Sequence, residues 1–142
     1  MREYANSIQS LQNPTFQQIR KISNDALSHF SKSERDIFWQ NLNQGVDLLD
    51  SHELMCQYIF SYGNMHEAKI QKALSSISNP KKIFDTDIAI IDWGCGQGLA
   101  TVCFFDYLKS QGIRNNTQKV ILIEPSEQAL GRAKLHTNVY LN

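Results

Sequence analysis

The stretch Asp-Ile-Ala-Ile-Ile-Asp-Trp-Gly-Cys-Gly-Gln-Gly at residues 87–98 constrains this chain more than any other. Its apolar run at 88–91 suits a strand covered on both faces. An acid, Asp92, closes the run, and Gly94, Gly96 and Gly98 follow at alternate positions. Glycines in that setting permit positive φ and let a ligand approach the backbone without meeting a Cβ. Leu99, Val102, Cys103, Phe105 and Leu108 then recur at helical spacing, and Gly112 ends the helix. The order is therefore strand, glycine turn, helix N-terminus, and the unpaired N–H groups of such an N-terminus favour a ligand.

A second unit of the same kind follows. Residues 119–124 read Lys-Val-Ile-Leu-Ile-Glu, an apolar strand that again ends in an acid, Glu124. Pro125 and Ser126 open another helix, with Ala129, Leu130, Ala133 and Leu135 on its apolar side.

The segment before the first strand reads as helices. Residues 1–12 carry little pattern and predict a loose start. Asn13 and Pro14 predict a helix opening, with Phe16, Ile19, Ile22, Ala26 and Phe30 at helical spacing. Ser33 caps a second helix carrying Ile37, Trp39, Leu42, Val46 and Leu49, weakened at Gly45. Ser51 opens a third, which Gly63 is expected to stop. Asn64 and Glu67 then form a capping box for a fourth, through Ile70, Ala73, Leu74 and Ile77. Residues 78–82 read as a linker. The fold class is α/β: a helical cap or lid over 1–80, then a β-α-β-α unit over 81–142.

Composition narrows the function classes. The chain has 142 residues, enough for one ordinary domain. Lys+Arg and Asp+Glu are both 14, so zero net charge gives no indication of a broad nucleic-acid surface. Three scattered cysteines without Cys-x-x-Cys pairing point to a reducing, cytoplasmic setting. No apolar run approaches membrane-spanning length. The histidines show no metal-ligand spacing, so no metal is expected; His29, His52 and His136 are read as surface or half-buried. Trp39 and Cys103 are read as core.

Three ligand classes use a glycine turn of this kind. A P-loop needs Lys-Ser/Thr after its last glycine, and Gly98 is followed by Leu99 and Ala100. The dinucleotide fingerprint Gly-x-Gly-x-x-Gly fits at Gly94 and Gly96, but its third glycine falls one residue early, at Gly98. Asp92, two residues before the first glycine, would repel a pyrophosphate and attract a cationic amine.

Apolar-apolar-Asp-x-Gly-x-Gly-x-Gly resembles motif I of the class I S-adenosylmethionine-dependent methyltransferases. The strand ending at Glu124 and the helix after Pro125 are similar to the next motif of that family, and the likeness covers roughly residues 83–137. It implies a Rossmann-like sheet and S-adenosylmethionine as cofactor. Gly94, Gly96 and Gly98 would lie against the methionine portion, Asp92 near its amino group, and Glu124, followed by Pro125, on the ribose hydroxyls. Cys95, Gln97 and Leu99 would supply backbone and pocket wall. A helical segment before motif I lids the cofactor in that family, which makes Tyr62, His66 and Lys69 candidates to touch its carboxylate. The alternative for these residues is an amphipathic helix face with no ligand.

The resemblance also marks what two strands lack. The family's sheet has about seven, and its acceptor-binding loops follow the fourth, so no catalytic residue is named and the methyl acceptor is unknown. A truncated methyltransferase domain is the expectation, inactive as 142 residues. Its bare sheet edge predicts self-association as a homodimer. The rivals are a non-catalytic interaction module that keeps the turn, and a nucleotide-dependent oxidoreductase.

Overall fold

A computed structural model describes residues 2–43 and 49–141. The elements run α1 (Arg2–Gln9), α2 (Phe16–Asp25), α3 (Lys32–Asn41), α4 (His52–Ser75), α5 (Pro80–Phe84), β1 (Ile88–Trp93), α6 (Leu99–Ser110), β2 (Thr117–Ile123) and α7 (Glu127–Leu141). The class is α/β, with β1 and β2 paired in parallel; Ile90 lies opposite Val120 and Asp92 opposite Leu122.

The loose start is a helix. Tyr4 and Ile8 of α1 are buried, one turn apart, and join a core with Phe16 and Ile19 of α2, Cys56 and Ile59 of α4, Val102 and Cys103 of α6, and Val139 of α7. This core runs from the first helix to the last, so the N-terminal helices pack directly on the layer that carries the glycine turn. Asp106 of α6 reinforces the join: one carboxylate oxygen accepts the Phe16 amide at 2.7 Å and the other the Tyr140 hydroxyl at 3.0 Å.

Helix boundaries differ from the expectations at several caps. Thr15 caps α2, accepting the Gln18 amide, while Asn13 takes a left-handed φ of 57° just before it. Ser31, not Ser33, caps α3, in a capping box with Glu34. Ser51 caps α4 as expected. The expected positions Gly45 and Val46 lie outside the described residues. Residues in the expected linker form the short α5, with Pro80 in its first turn.

Gly63 does not end a helix. α4 runs through it for 24 residues, and no capping box forms at Asn64. The cause is packing: a Cβ on Gly63 would sit 2.7 Å from Phe16 Cζ. The glycine is there so that the Phe16 ring can reach the α4 backbone, and burial of that ring outweighs the ~1 kcal/mol helix penalty of glycine.

The sheet is covered on one face only, against the expectation for an apolar run. Ile88 and Ile90 of β1 and Val120 of β2 pack on Phe105, Tyr107 and Leu108 of α6. The opposite face carries Ala89, Ile91 and Trp93; Ile91 is 64% and Trp93 81% exposed. Trp39 is likewise outside the core, 47% exposed and stacked on Tyr62 at 5.1 Å. Cys103 is fully buried, as expected. Among the described residues no helix is long and apolar enough to cross a membrane.

Candidate functional site

β1 and β2 end side by side, and each delivers its acid to the mouth of one cavity of about 420 Å³. The glycine turn forms the floor. Gly94, Gly96 and Gly98 have φ of 67°, 51° and 80°, a region that L side chains rarely adopt. The Gly94 and Cys95 amides both donate to the Ile123 carbonyl, at 2.8 and 3.0 Å, which fastens the turn to the end of β2.

The two acids are held by the chain. Glu124 accepts the Gly96 amide at 2.9 Å on one oxygen and the Ser126 amide at 3.0 Å on the other. Asp92 accepts the Thr101 hydroxyl of α6 at 2.7 Å. A carboxylate has about four acceptor positions, so each acid retains capacity toward the cavity. Gln97 also lines the cavity. Its side chain is 3% exposed and donates from Nε2 to the Met55 carbonyl at 3.1 Å, which fixes the amide orientation. Its Oε1 is buried and has no partner among the described residues.

The cavity wall contains no lysine or arginine among the described residues: Asp92, Glu124, Gln97, Cys95, Tyr58, His66 and Ser126 supply its polar groups. The thiol of Cys95 is pushed up to about 11, by burial first and then by Asp92 and Glu124, and stays protonated. Burial, with Lys69 adding to it, lowers the pKa of His66 and keeps the imidazole neutral at neutral pH. The first backbone bond of α6 runs from Val102 to the Gly98 carbonyl at 3.1 Å, so the amides of Leu99, Ala100 and Thr101 belong to the set a helix leaves unpaired. Leu99 and Ala100 line the cavity. The site thus offers a cluster of acceptors and, beside it, a helix N-terminus. It suits a ligand that is mostly donor and cation but carries one anionic group.

Of the residues expected here, Asp92, Gly94, Cys95, Gly96, Glu124 and His66 line the cavity. Gly98, Pro125 and Tyr62 do not. A Cβ on Gly98 would come within 3.1 Å of Ala133 Cα, so this glycine lets α7 approach the turn. Pro125 is exposed. Tyr62 is turned toward Trp39, and Tyr58, one turn earlier on α4, faces the cavity instead. Gln97 and Leu99 line it as expected, and Leu49, Ile70, Ala100, Ser126 and Ala129 complete the wall; the last three flank the two strand ends, and proximity to Asp92 and Glu124 in sequence was the signal for them.

His136 is not at the surface. It is 1% exposed, with Nδ1 2.8 Å from the Gln97 carbonyl and Nε2 2.9 Å from the Tyr4 hydroxyl. Both ring nitrogens are satisfied, which is what allows a neutral imidazole in the core. The chain Tyr4–His136–Gln97 ties α1 to the glycine turn. Among the described residues no group of three or more His, Cys, Asp or Glu is placed to hold a metal ion.

The chain matches no protein-family model, no curated protein and no solved structure.

Proposed function

We propose that the cavity binds S-adenosylmethionine as the cofactor site of a methyltransferase of the class I, Rossmann-like kind. The observation that carries this reading is the acceptor-rich wall: Asp92 and Glu124 at the ends of adjacent parallel strands, both lining one cavity. A dinucleotide brings a pyrophosphate, which needs donors and would meet two carboxylates. S-adenosylmethionine brings an ammonium, a sulfonium and a ribose diol, all suited to acceptors, and one carboxylate, suited to the amides at the start of α6.

When bound, the cofactor supplies an electrophilic methyl group. The chain's part is to bind and orient it. Glu124 would receive the ribose hydroxyls on its remaining lone pairs. Asp92, held by Thr101, would receive the ammonium. Gly94 and Gly96 leave room at the floor, since nothing lies within 4 Å of a Cβ built on either.

One observation favours a second reading. Both oxygens of Glu124 already bond to backbone amides of the turns, so the acid serves the fold without any ligand. A non-catalytic interaction module would keep the clamp and work through the open sheet face. Calorimetric titration with S-adenosylmethionine, S-adenosylhomocysteine and NAD separates the readings. The proposal expects saturable binding of the first two and none of NAD; a module expects no binding of any.

A further inference from the structure

Two cavity-lining side chains have no part in holding the cofactor as just described: Tyr58 and His66, both on α4. They form a pair. Tyr58 Oη lies 3.0 Å from His66 Nε2, and the rings stack at 5.7 Å with 22° between their planes. Tyr62 backs the pair, 5.4 Å from Tyr58, and stacks in turn on Trp39. The aromatic layer fixes where the Tyr58 hydroxyl and the imidazole point. Burial raises the pKa of Tyr58, so the phenol keeps its proton, and in the tautomer protonated at Nδ1 the neutral imidazole accepts its hydrogen bond at Nε2. The groups around His66 are Lys69, Tyr58 and Tyr62 on its own helix, and Asp92, Cys95 and Glu124 across the shared cavity.

We propose that the Tyr58–His66 pair is the proton acceptor for methyl transfer, and that the methyl acceptor is therefore a protic nucleophile, an alcohol, a phenol or an N–H amine. This rests on the reading of the cavity as an S-adenosylmethionine site. The cofactor's S–CH3 bond breaks with its electron pair left on sulfur, as a lone pair of the acceptor oxygen or nitrogen forms the new bond to carbon. The acceptor's proton passes to Tyr58 Oη while the Tyr58 proton passes to His66 Nε2. One positive charge leaves the sulfur and one appears on the imidazolium, so the charge of the site is unchanged. Lys69 and partial burial make that imidazolium a good acid, and it returns its proton to solvent.

The pair then lies on the sulfonium side of the cavity, and its charge state discriminates between the cationic S-adenosylmethionine and the neutral sulfur of S-adenosylhomocysteine. The test is the ratio of their dissociation constants, by calorimetry on the whole chain from about pH 8 to about pH 5.5, where an imidazole titrates. Protonation of His66 should raise the ratio of S-adenosylmethionine to S-adenosylhomocysteine by at least about threefold as pH falls. His66→Gln should remove that rise. Tyr58→Phe should keep it but move its midpoint to higher pH, because the hydrogen bond that Tyr58 donates stabilises the neutral ring. Proton NMR of His66 in the unsubstituted protein gives an independent readout, with S-adenosylmethionine lowering its midpoint more than S-adenosylhomocysteine does. Binding of both ligands with the same pH profile in wild type and His66→Gln overturns the pair's role and leaves the cofactor reading standing. Binding of neither ligand overturns both.

Discussion

The carboxylate of Glu124, just past the end of β2, accepts the amide of Gly96 in the turn after β1, at 2.9 Å. One side chain thus does two jobs: it closes the glycine turn and presents an acid to the cavity. Charge-assisted hydrogen bonds of this kind contribute about 1.5–3 kcal/mol. Glu124→Ala should weaken S-adenosylmethionine binding at least ~10-fold and lower unfolding stability by about 1–3 kcal/mol. Glu124→Gln keeps an acceptor for one of the two amides and sets its NH2 against the other, so it should recover only part of the stability and little of the binding. Equal losses of binding and stability in both variants would separate the acid from the ligand.

Gly94 and Gly98 should respond differently to a methyl group. Gly94→Ala meets nothing within 4 Å and carries only the left-handed φ penalty, about 1–2 kcal/mol. Gly98→Ala has a similar φ and also drives a Cβ to 3.1 Å from the Ala133 backbone. It should cost about 2–4 kcal/mol in denaturant unfolding. Equal costs would mean that α7 is free to move away from the turn.

His136 predicts an acid-side loss of stability. Burial, with Arg132 contributing, lowers its pKa from 6.5 to about 4 in the folded state, although the hydrogen bond with Gln97 opposes the shift. Between these values the unfolded chain binds a proton that the folded chain refuses, so stability falls as pH falls from about 6.5 toward 4. The full effect is on the order of 3 kcal/mol. Chemical denaturation at pH 7, 5 and 4 should show a steeper decline in wild type than in His136→Gln, which starts lower because the Tyr4 hydrogen bond is lost. Parallel declines would exclude His136 as the group responsible.

The open sheet face calls for cover. Ala89, Ile91 and Trp93 are exposed on β1, and their register partners Lys119, Ile121 and Ile123 share that face. Parallel sheets are almost always covered on both faces. A second copy of the chain presents the same apolar surface, and zero net charge puts no long-range repulsion between copies. Sedimentation should show a concentration-dependent dimer, and Trp93→Lys should shift it to monomer. A monomer mass in wild type at high concentration would contradict this.

The strand ends and the glycine turn were legible because their determinants are local. An apolar run, an acid and three glycines report on φ, on backbone access and on where the chain turns, and Asp92, Gly94, Cys95, Gly96 and Glu124 all reach the cavity. What the sequence hid depends on distant partners. Gly63 looks like a stop until Phe16 is seen against it. Gly98 looks like a ligand contact until Ala133 is seen behind it. Tyr58 and Tyr62 are indistinguishable by helical spacing, and only the position of Trp39 decides which one faces the cavity. The covered face of β1 was overcounted because an apolar run does not say how many layers pack on it, and α6 supplies one.

The most direct test is calorimetric titration of the chain with S-adenosylmethionine, repeated with NAD. The account predicts saturable, one-to-one binding of S-adenosylmethionine, lost in Asp92→Ala and Glu124→Ala, and no heat from NAD beyond dilution. NAD binding without S-adenosylmethionine binding, or S-adenosylmethionine binding that survives both substitutions, would contradict it.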